Sequence, residues 1–387
     1  MLVVFVHGWG VRRPDYGPLP ESVRQSLGSD TVEVRLSEYV SYNDHLTIHD
    51  LATAFERARQ NAFPNRPFAC VTHSTGGVIL RAWLAAYGGP LTHLVMLAPP
   101  HHGSALAQLG KSRLSRMKCW FDGVDPGQRI LDSLELGSRE SWALNLWWLN
   151  FDWAARGTYP FVLTGSAPDR SLYDHLNSYT GEPGSDGVVR AASANLNFTL
   201  LRFQQTEAGV LELVETKRPL PTAFGILPGT SHTGILHSAT TADWLAQCLR
   251  VKSLVDYRDI ASALAVLTQD EPLRCSILAF RTNVDDYDLL FTAGPDHSPD
   301  ALPSGFFIDR QRNSRQRDTL TYFVNHTPMT FQLRPRPESG PVSFALADFR
   351  GASFIRPHET SLVEVTCHRR LQDRVFAFPS RKPRRVA

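Results

Sequence analysis

A chain of 387 residues with 42% hydrophobic and 20% charged side chains can bury one large core and a smaller one, and its composition excludes a disordered polymer. Lys and Arg total 40 against 38 for Asp and Glu, so no net field gathers nucleic acid, and none is expected as a partner. The five cysteines, Cys70, Cys119, Cys248, Cys275 and Cys367, are far apart and odd in number, which argues against a disulfide framework or a metal site and for buried thiols.

The chain opens on Leu2-Val-Val-Phe-Val6, an apolar run with no basic flank that passes straight into a His-Gly turn. It reads as a strand and not as a secretory signal. No stretch reaches the roughly 18 apolar residues of a membrane span. These features predict a product made soluble in the cytoplasm, with any export following a signal-independent route.

Strand-like runs at Leu2–Val6, Thr31–Leu36, Phe68–Val71, Leu91–Leu97 and Tyr159–Thr164 alternate with helical stretches such as Leu46–Ala62 and Val78–Tyr87. Such alternation predicts a mainly parallel sheet covered by helices on both faces, with ligands bound beyond the carboxyl ends of the strands. His7 and Ser74 each fall just past such an end.

Between Gly103 and Gly157 the rhythm breaks, which predicts an insertion over about residues 104–157. Five of the eight tryptophans lie here, and four of them, Trp142, Trp147, Trp148 and Trp153, crowd one short segment together with Phe151. On a single helix from Ser141 to Ala155, Asn145 and Asp152 share a narrow polar strip while rings cover most of the remainder. A helix so apolar must be buried or meet something greasy. Its place after a strand end near Ser74 predicts a lid or substrate-binding cap facing an acyl chain or a membrane surface. The competing reading packs it into the core or against a second domain.

Further on, strand-like pieces at Phe198–Thr206, Val210–Val214 and Thr222–Leu227 precede a helix over Ile235–Val251, and the catalytic domain is expected to span residues 1–252. A helix over Ser253–Thr268 fills a connection at 253–273. From Arg274 the texture turns β-rich, with runs at Ser276–Arg281, Tyr287–Thr292, Leu320–Asn325 and Ser361–Thr366 among Gly-Pro turns. This predicts a small antiparallel sandwich over 274–387. The arginine-rich stretch 309–318 reads as a solvated turn, Asp285, Asp286, Asp288 and Asp296 as surface acids without calcium-loop spacing, and 380–387 as a basic tail.

A serine hydroxyl is a poor nucleophile near neutrality; it needs a histidine to take its proton and a carboxylate to hold that histidine. Ser74 stands in Thr72-His-Ser-Thr-Gly76, on the turn from strand to helix, and departs from G-x-S-x-G only at Thr72. Asp186, in the Gly-Ser-Asp-Gly-Val-Val run, and His232, in Thr230-Ser-His-Thr-Gly234, follow in the order this fold demands. Asp152, Asp169 and Asp174 lack that context; His175 and His237 are the rivals to His232, with His237 expected inside the following helix. For the oxyanion the N–H of Thr75 and the N–H of Trp9 are the expected donors, with Gly8 the alternative to Trp9. His7 is expected to orient that loop, and His101 and His102 to shape the turn into the insertion. The chemistry requires no metal and no cofactor.

Taken together, His7-Gly8, His73-Ser-Thr-Gly-Gly77, Pro99-Pro-His-His-Gly-Ser104, Ser185-Asp-Gly-Val-Val189 and Ser231-His-Thr-Gly234 are similar to the ordered signature of α/β-hydrolase lipases. Over its first two-thirds the chain resembles bacterial lipases and lipase-type phospholipases, among them the effectors that type VI secretion systems deliver to rival bacteria. The resemblance implies an α/β-hydrolase fold and ester hydrolysis on lipid through an acyl-serine, with Ser74, His232 and Asp186 as nucleophile, base and acid. Two other readings stay open. One is a small-ester hydrolase, thioesterase or acyltransferase with a closed cap; the other is a catalytically silent fold that binds a partner through its tryptophan-rich surface.

Overall fold

The computed structural model describes residues 1–7, 16–34, 43–104, 127–167, 184–208, 210–271, 276–283, 287–293, 319–324, 329–335, 342–344, 347–349 and 356–371. Its first part runs β1 (Leu2–Val6), α1 (Leu19–Leu27), β2 (Asp30–Val34), α2 (Ile48–Ala62), β3 (Phe68–His73), α3 (Thr75–Tyr87) and β4 (Leu91–Leu97). The middle holds α4 (Gln128–Ser133), α5 (Arg139–Trp148), α6 (Trp153–Arg156), β5 (Tyr159–Gly165), α7 (Ala191–Ala194), β6 (Thr199–Gln205), β7 (Leu211–Lys217) and β8 (Ala223–Leu227). Then come α8 (Ala239–Arg250), α9 (Leu254–Gln269) and the strands β9 (Ser276–Thr282), β10 (Tyr287–Ala293), β11 (Thr319–Val324), β12 (Met329–Pro335), β13 (Val342–Phe344), β14 (Ala347–Phe349), β15 (Thr360–Thr366) and β16 (Arg369–Leu371).

Six strands pair in the order β2-β1-β3-β4-β5-β8, every neighbour parallel. Both faces are buried, as a parallel sheet requires. Along β1, Leu2, Val4 and Val6 enter a core shared with Ile48, Leu51 and Phe55 of α2 and Leu80 and Trp83 of α3, while Val3 and Phe5 enter one shared with Leu19 and Val23 of α1 and Leu245 and Leu249 of α8. α2 starts on a reciprocal cap, in which the Thr47 hydroxyl accepts from the Asp50 N–H and the Asp50 carboxylate accepts from the Thr47 N–H. α9 starts on the same device at Ser253 and Asp256, and the Thr268 hydroxyl near its end accepts from Ile226 N–H, closing the open edge at β8. Strand β2 lies on one side of β1 and β3 on the other, so the chain reverses direction across the sheet between β1 and β3. Ligands bind such sheets at the carboxyl ends beside that reversal, where His7 and Ser74 stand.

The C-terminal part departs from the expected sandwich. Its central sheet is mixed, ordered β11-β9-β15-β6-β7, with β15 parallel to both β9 and β6 and Val363 opposite Leu201. Two of its strands therefore belong to the hairpin β6–β7 from the middle of the chain. Antiparallel pairing, as expected, holds for β10-β12-β14 and for β13-β16. Side chains reinforce the shared sheet: Arg218 pairs with Glu359 at 2.8 Å, Thr360 Oγ1 donates to the Ala192 carbonyl at 2.8 Å, and Asn195 Nδ2 donates to the His358 carbonyl at 2.8 Å. The arginine-rich stretch, Asp285, Asp286, Asp296 and the basic tail lie outside the described residues.

Candidate active site

Strand β3 ends at His73, and Ser74 turns the chain into α3 with φ 54° and ψ −129°. That backbone favours glycine and costs a serine about 1–3 kcal/mol, which the surrounding structure must hold. Ser74 N–H donates to the Leu97 carbonyl at 2.8 Å, tying the turn to the end of β4. Gly77 is needed for close packing, since a Cβ there would stand 2.8 Å from Pro99 Cβ. The Thr72 hydroxyl lies 3.4 Å from that same point. The departure at Thr72 is thus housed in space that Gly77 leaves free.

Asp186 is wholly buried in a loop that bends on Gly184 and Gly187, at φ 76° and 98°. Its Oδ1 accepts from the N–H groups of Val188 at 2.9 Å and Val189 at 2.7 Å, leaving Oδ2 to face the His232 Nδ1 at 2.9 Å. His232 N–H also donates to the Asp186 carbonyl at 3.0 Å. On the other side of the ring, Nε2 stands 3.1 Å from Ser74 Oγ. The His232 loop comes this close to β5 only because residue 165 is glycine: a Cβ there would fall 1.9 Å from the Thr230 carbonyl oxygen.

Thr75 begins α3, so its N–H sits at the helix N-terminus beside Ser74. Trp9 and Gly8 lie outside the described residues, as do Asp169, Asp174 and His175. Asp152 caps α6 by accepting from Ala155 N–H at 2.8 Å. His237 ends a short turn over Gly234–Leu236, ahead of α8 and not within it, because the chain needs that turn before the helix can begin at Ala239. His7 meets Tyr16 and His73 edge-on, with ring centroids 5.2 and 5.3 Å away.

His101 and His102 follow β4 into a buried network around Arg81 of α3. Arg81 donates to His101 Nδ1 at 3.1 Å, to the Leu144 carbonyl at 3.0 Å and to Asn145 Oδ1 at 3.0 Å. Asn145 Nδ2 in turn donates to His102 Nδ1 at 3.0 Å, and His102 Nε2 donates to the Asn195 carbonyl at 3.2 Å. Burial brings the Arg81 pKa down to about 9.

This network corrects the expected aromatic lid. The segment is two helices, α5 and α6, and not one. Trp148 lies under the Arg81 guanidinium, 5.1 Å from ring to charge. Trp142 Nε1 donates to Glu364 of β15 at 2.9 Å, and Trp153 packs on Tyr257 at 4.5 Å between centroids. These three tryptophans are buried and hold core positions; the partners that hold them come from distant parts of the chain. Trp147 and Phe151, stacked at 4.7 Å, are only partly covered. Among the described residues no three metal-binding side chains cluster, and no helix is long and apolar enough to cross a membrane. Cys70, Cys248 and Cys367 are free and buried.

A parallel sheet flanked by helices on both faces, with a serine elbow at its reversal point, defines an α/β-hydrolase. Comparison with protein-family models and with curated proteins found no match. Among solved structures the chain is similar to phospholipase PlaB from Legionella pneumophila, at 38% identity and a TM-score of 0.90, covering 100% of this chain and 98% of that one. A second structure, PlaB in complex with thio-NAD, matches at 37% identity and a TM-score of 0.88 over the same extents. Bacillus licheniformis lipase BlEst2 in mature form shares 19% identity over 64% of this chain and 91% of its own, at a TM-score of 0.45. The chain belongs to the PlaB phospholipase family.

Proposed function

We propose that this chain hydrolyses carboxylic ester bonds of phospholipids, with Ser74 as nucleophile, His232 as general base and Asp186 as the group that orients it. The chain's place among phospholipases supports the substrate class. One observation carries the mechanism: Ser74 Oγ, His232 Nε2, His232 Nδ1 and Asp186 Oδ2 form an unbroken line of contacts at 3.1 and 2.9 Å. With its Nδ1–H donated to Asp186, the imidazole presents a lone pair at Nε2 to the serine hydroxyl. Ser74 attacks the ester carbonyl as its proton passes to Nε2, and the tetrahedral oxyanion faces the Thr75 N–H, with the Trp9 N–H as second donor. The imidazolium then protonates the leaving alcohol. Water, deprotonated by His232, releases the fatty acid from the acyl-serine by the reverse sequence.

Residues 1–252 are read as the catalytic unit, and the strands after 274 as a partner that completes the sheet begun by β6 and β7. Trp147 and Phe151 are the aromatic side chains left to meet an acyl chain. Phospholipid vesicles incubated with the chain should release fatty acid and lysolipid, and Ser74→Ala should release neither. Hydrolysis confined to short soluble esters would favour the small-ester reading instead.

A further inference from the structure

His73 ends β3 one residue before the nucleophile, and its Nε2 lies 2.9 Å from the carbonyl oxygen of His232. A carbonyl only accepts, so Nε2 carries the proton and donates. The two rings are tilted at 48° to each other with centroids 4.8 Å apart, and His7 meets His73 edge-on at 5.3 Å. Burial first, and then the neighbouring His232, His7 and His237, hold the His73 pKa well below the usual histidine range. It stays neutral while His232 takes up a proton.

Resting on the reading of Ser74, His232 and Asp186 as the reacting groups, we propose that His73 is a positioning residue that anchors the general base by its main chain. Asp186 holds His232 twice, at Nδ1 and at the backbone N–H, yet both holds come from one loop. About that loop alone the imidazole can pivot, carrying Nε2 away from Ser74. The His73 donor adds a second anchor from another direction, on the very strand that delivers the serine. The separation of Ser74 Oγ and His232 Nε2 is thereby set by a contact one residue from Ser74, spanning 159 positions of sequence. Proton transfer depends steeply on that separation, since a misplacement of about 1 Å costs on the order of 100-fold in rate.

The test compares His73→Gln and His73→Met in the full chain. Gln places its Nε2–H the same number of bonds from the backbone as His Nε2, whereas Met has similar length and no donor. Turnover of a soluble short-chain nitrophenyl ester is measured per active site, counted by the stoichiometry of fluorophosphonate labelling, so that misfolded chains do not enter. The expected result is a kcat at least about tenfold lower in His73→Met with KM within about twofold, and recovery to within about threefold of the starting chain in His73→Gln. Equal kcat per labelled site in the two variants, whether both high or both low, overturns the proposal. Ser74→Ala separates the two levels: turnover that survives it sinks the triad, while turnover lost there with Gln and Met alike sinks only the role of His73.

Discussion

Acid should unfold this protein through histidines that its core keeps neutral, three of them in or beside the candidate site. His73, His101 and His102 are buried, at 4%, 1% and 3% exposure. Burial is the largest cause in each case. Nearby His232 and His7 add to it at His73, and the Arg81 charge adds to it at His101 and His102. The His102 pKa falls to about 3, and those of His73 and His101 lie well below 6.5. In the unfolded chain all three titrate near 6.5, so below that pH the unfolded state binds protons that the folded state refuses. Stability is therefore present above 6.5 and is lost as pH falls toward the folded values, by about 1.4 kcal/mol per pH unit for each group. Between pH 7 and pH 5 His102 costs roughly 2 kcal/mol, and His73 and His101 add losses of the same sign, against a typical total stability of about 5–15 kcal/mol. Glu56, brought down to about 2 chiefly by its hydrogen bond from Arg59, acts only at lower pH and does not blur this window. Urea unfolding followed by tryptophan fluorescence at pH 7, 6 and 5 measures the slope. His102→Gln keeps a donor for the Asn195 carbonyl and removes one titrating group, so it should flatten the slope. A stability that does not change from pH 7 to pH 5, or an unaltered slope in His102→Gln, would refute the reasoning.

Ser74→Gly should be inactive yet more stable than Ser74→Ala, because glycine takes φ 54° freely; the relief of about 1–3 kcal/mol exceeds the roughly 0.5–1 kcal/mol lost to a more flexible unfolded chain. Unfolding midpoints of the two variants decide it, and a less stable glycine variant would contradict the strain assigned to the elbow. Gly165→Ala should displace the His232 loop, since its Cβ would meet the Thr230 carbonyl at 1.9 Å; the rate of fluorophosphonate labelling should fall. Asp186→Asn should lower kcat by about 10³–10⁴-fold with little change in fold, because an amide facing Nδ1 selects the wrong imidazole tautomer, and a pre-steady-state assay of acylation measures that loss.

The parallel half of the fold was legible because each strand announces itself locally. Leu2–Val6 and Leu91–Leu97 have the bounds expected of them, and α3 and α9 differ from expectation by a few residues at their ends. Strands buried on both faces are continuous apolar runs, and capping pairs such as Thr47 with Asp50 lie within one turn. The mixed sheet was not legible. Its defining pair, β15 with β6, joins Val363 to Leu201, and nothing in either strand's own alternation names a partner so far away. The aromatic segment misled for a related reason. Counted on one helix, Asn145 and Asp152 share a polar strip, but Asn145 turns inward to His101 and His102 while Asp152 lies past the end of one helix and caps the next. Partners from α3 and β15 convert what reads as a greasy surface into core. At the site, Ser74, Asp186 and His232 stood out because each sits in a short run of glycines and small polar residues after a strand. His73 did not, because its role depends on a backbone carbonyl that carries no sequence signal.

The alignment of Ser74, His232 and Asp186 is tested most directly by reacting the full chain with a fluorophosphonate and locating the adduct by peptide mass. One adduct is expected, on Ser74, forming far more slowly in His232→Ala. An adduct on a different serine, or labelling of Ser74 that proceeds undiminished without His232, would contradict it.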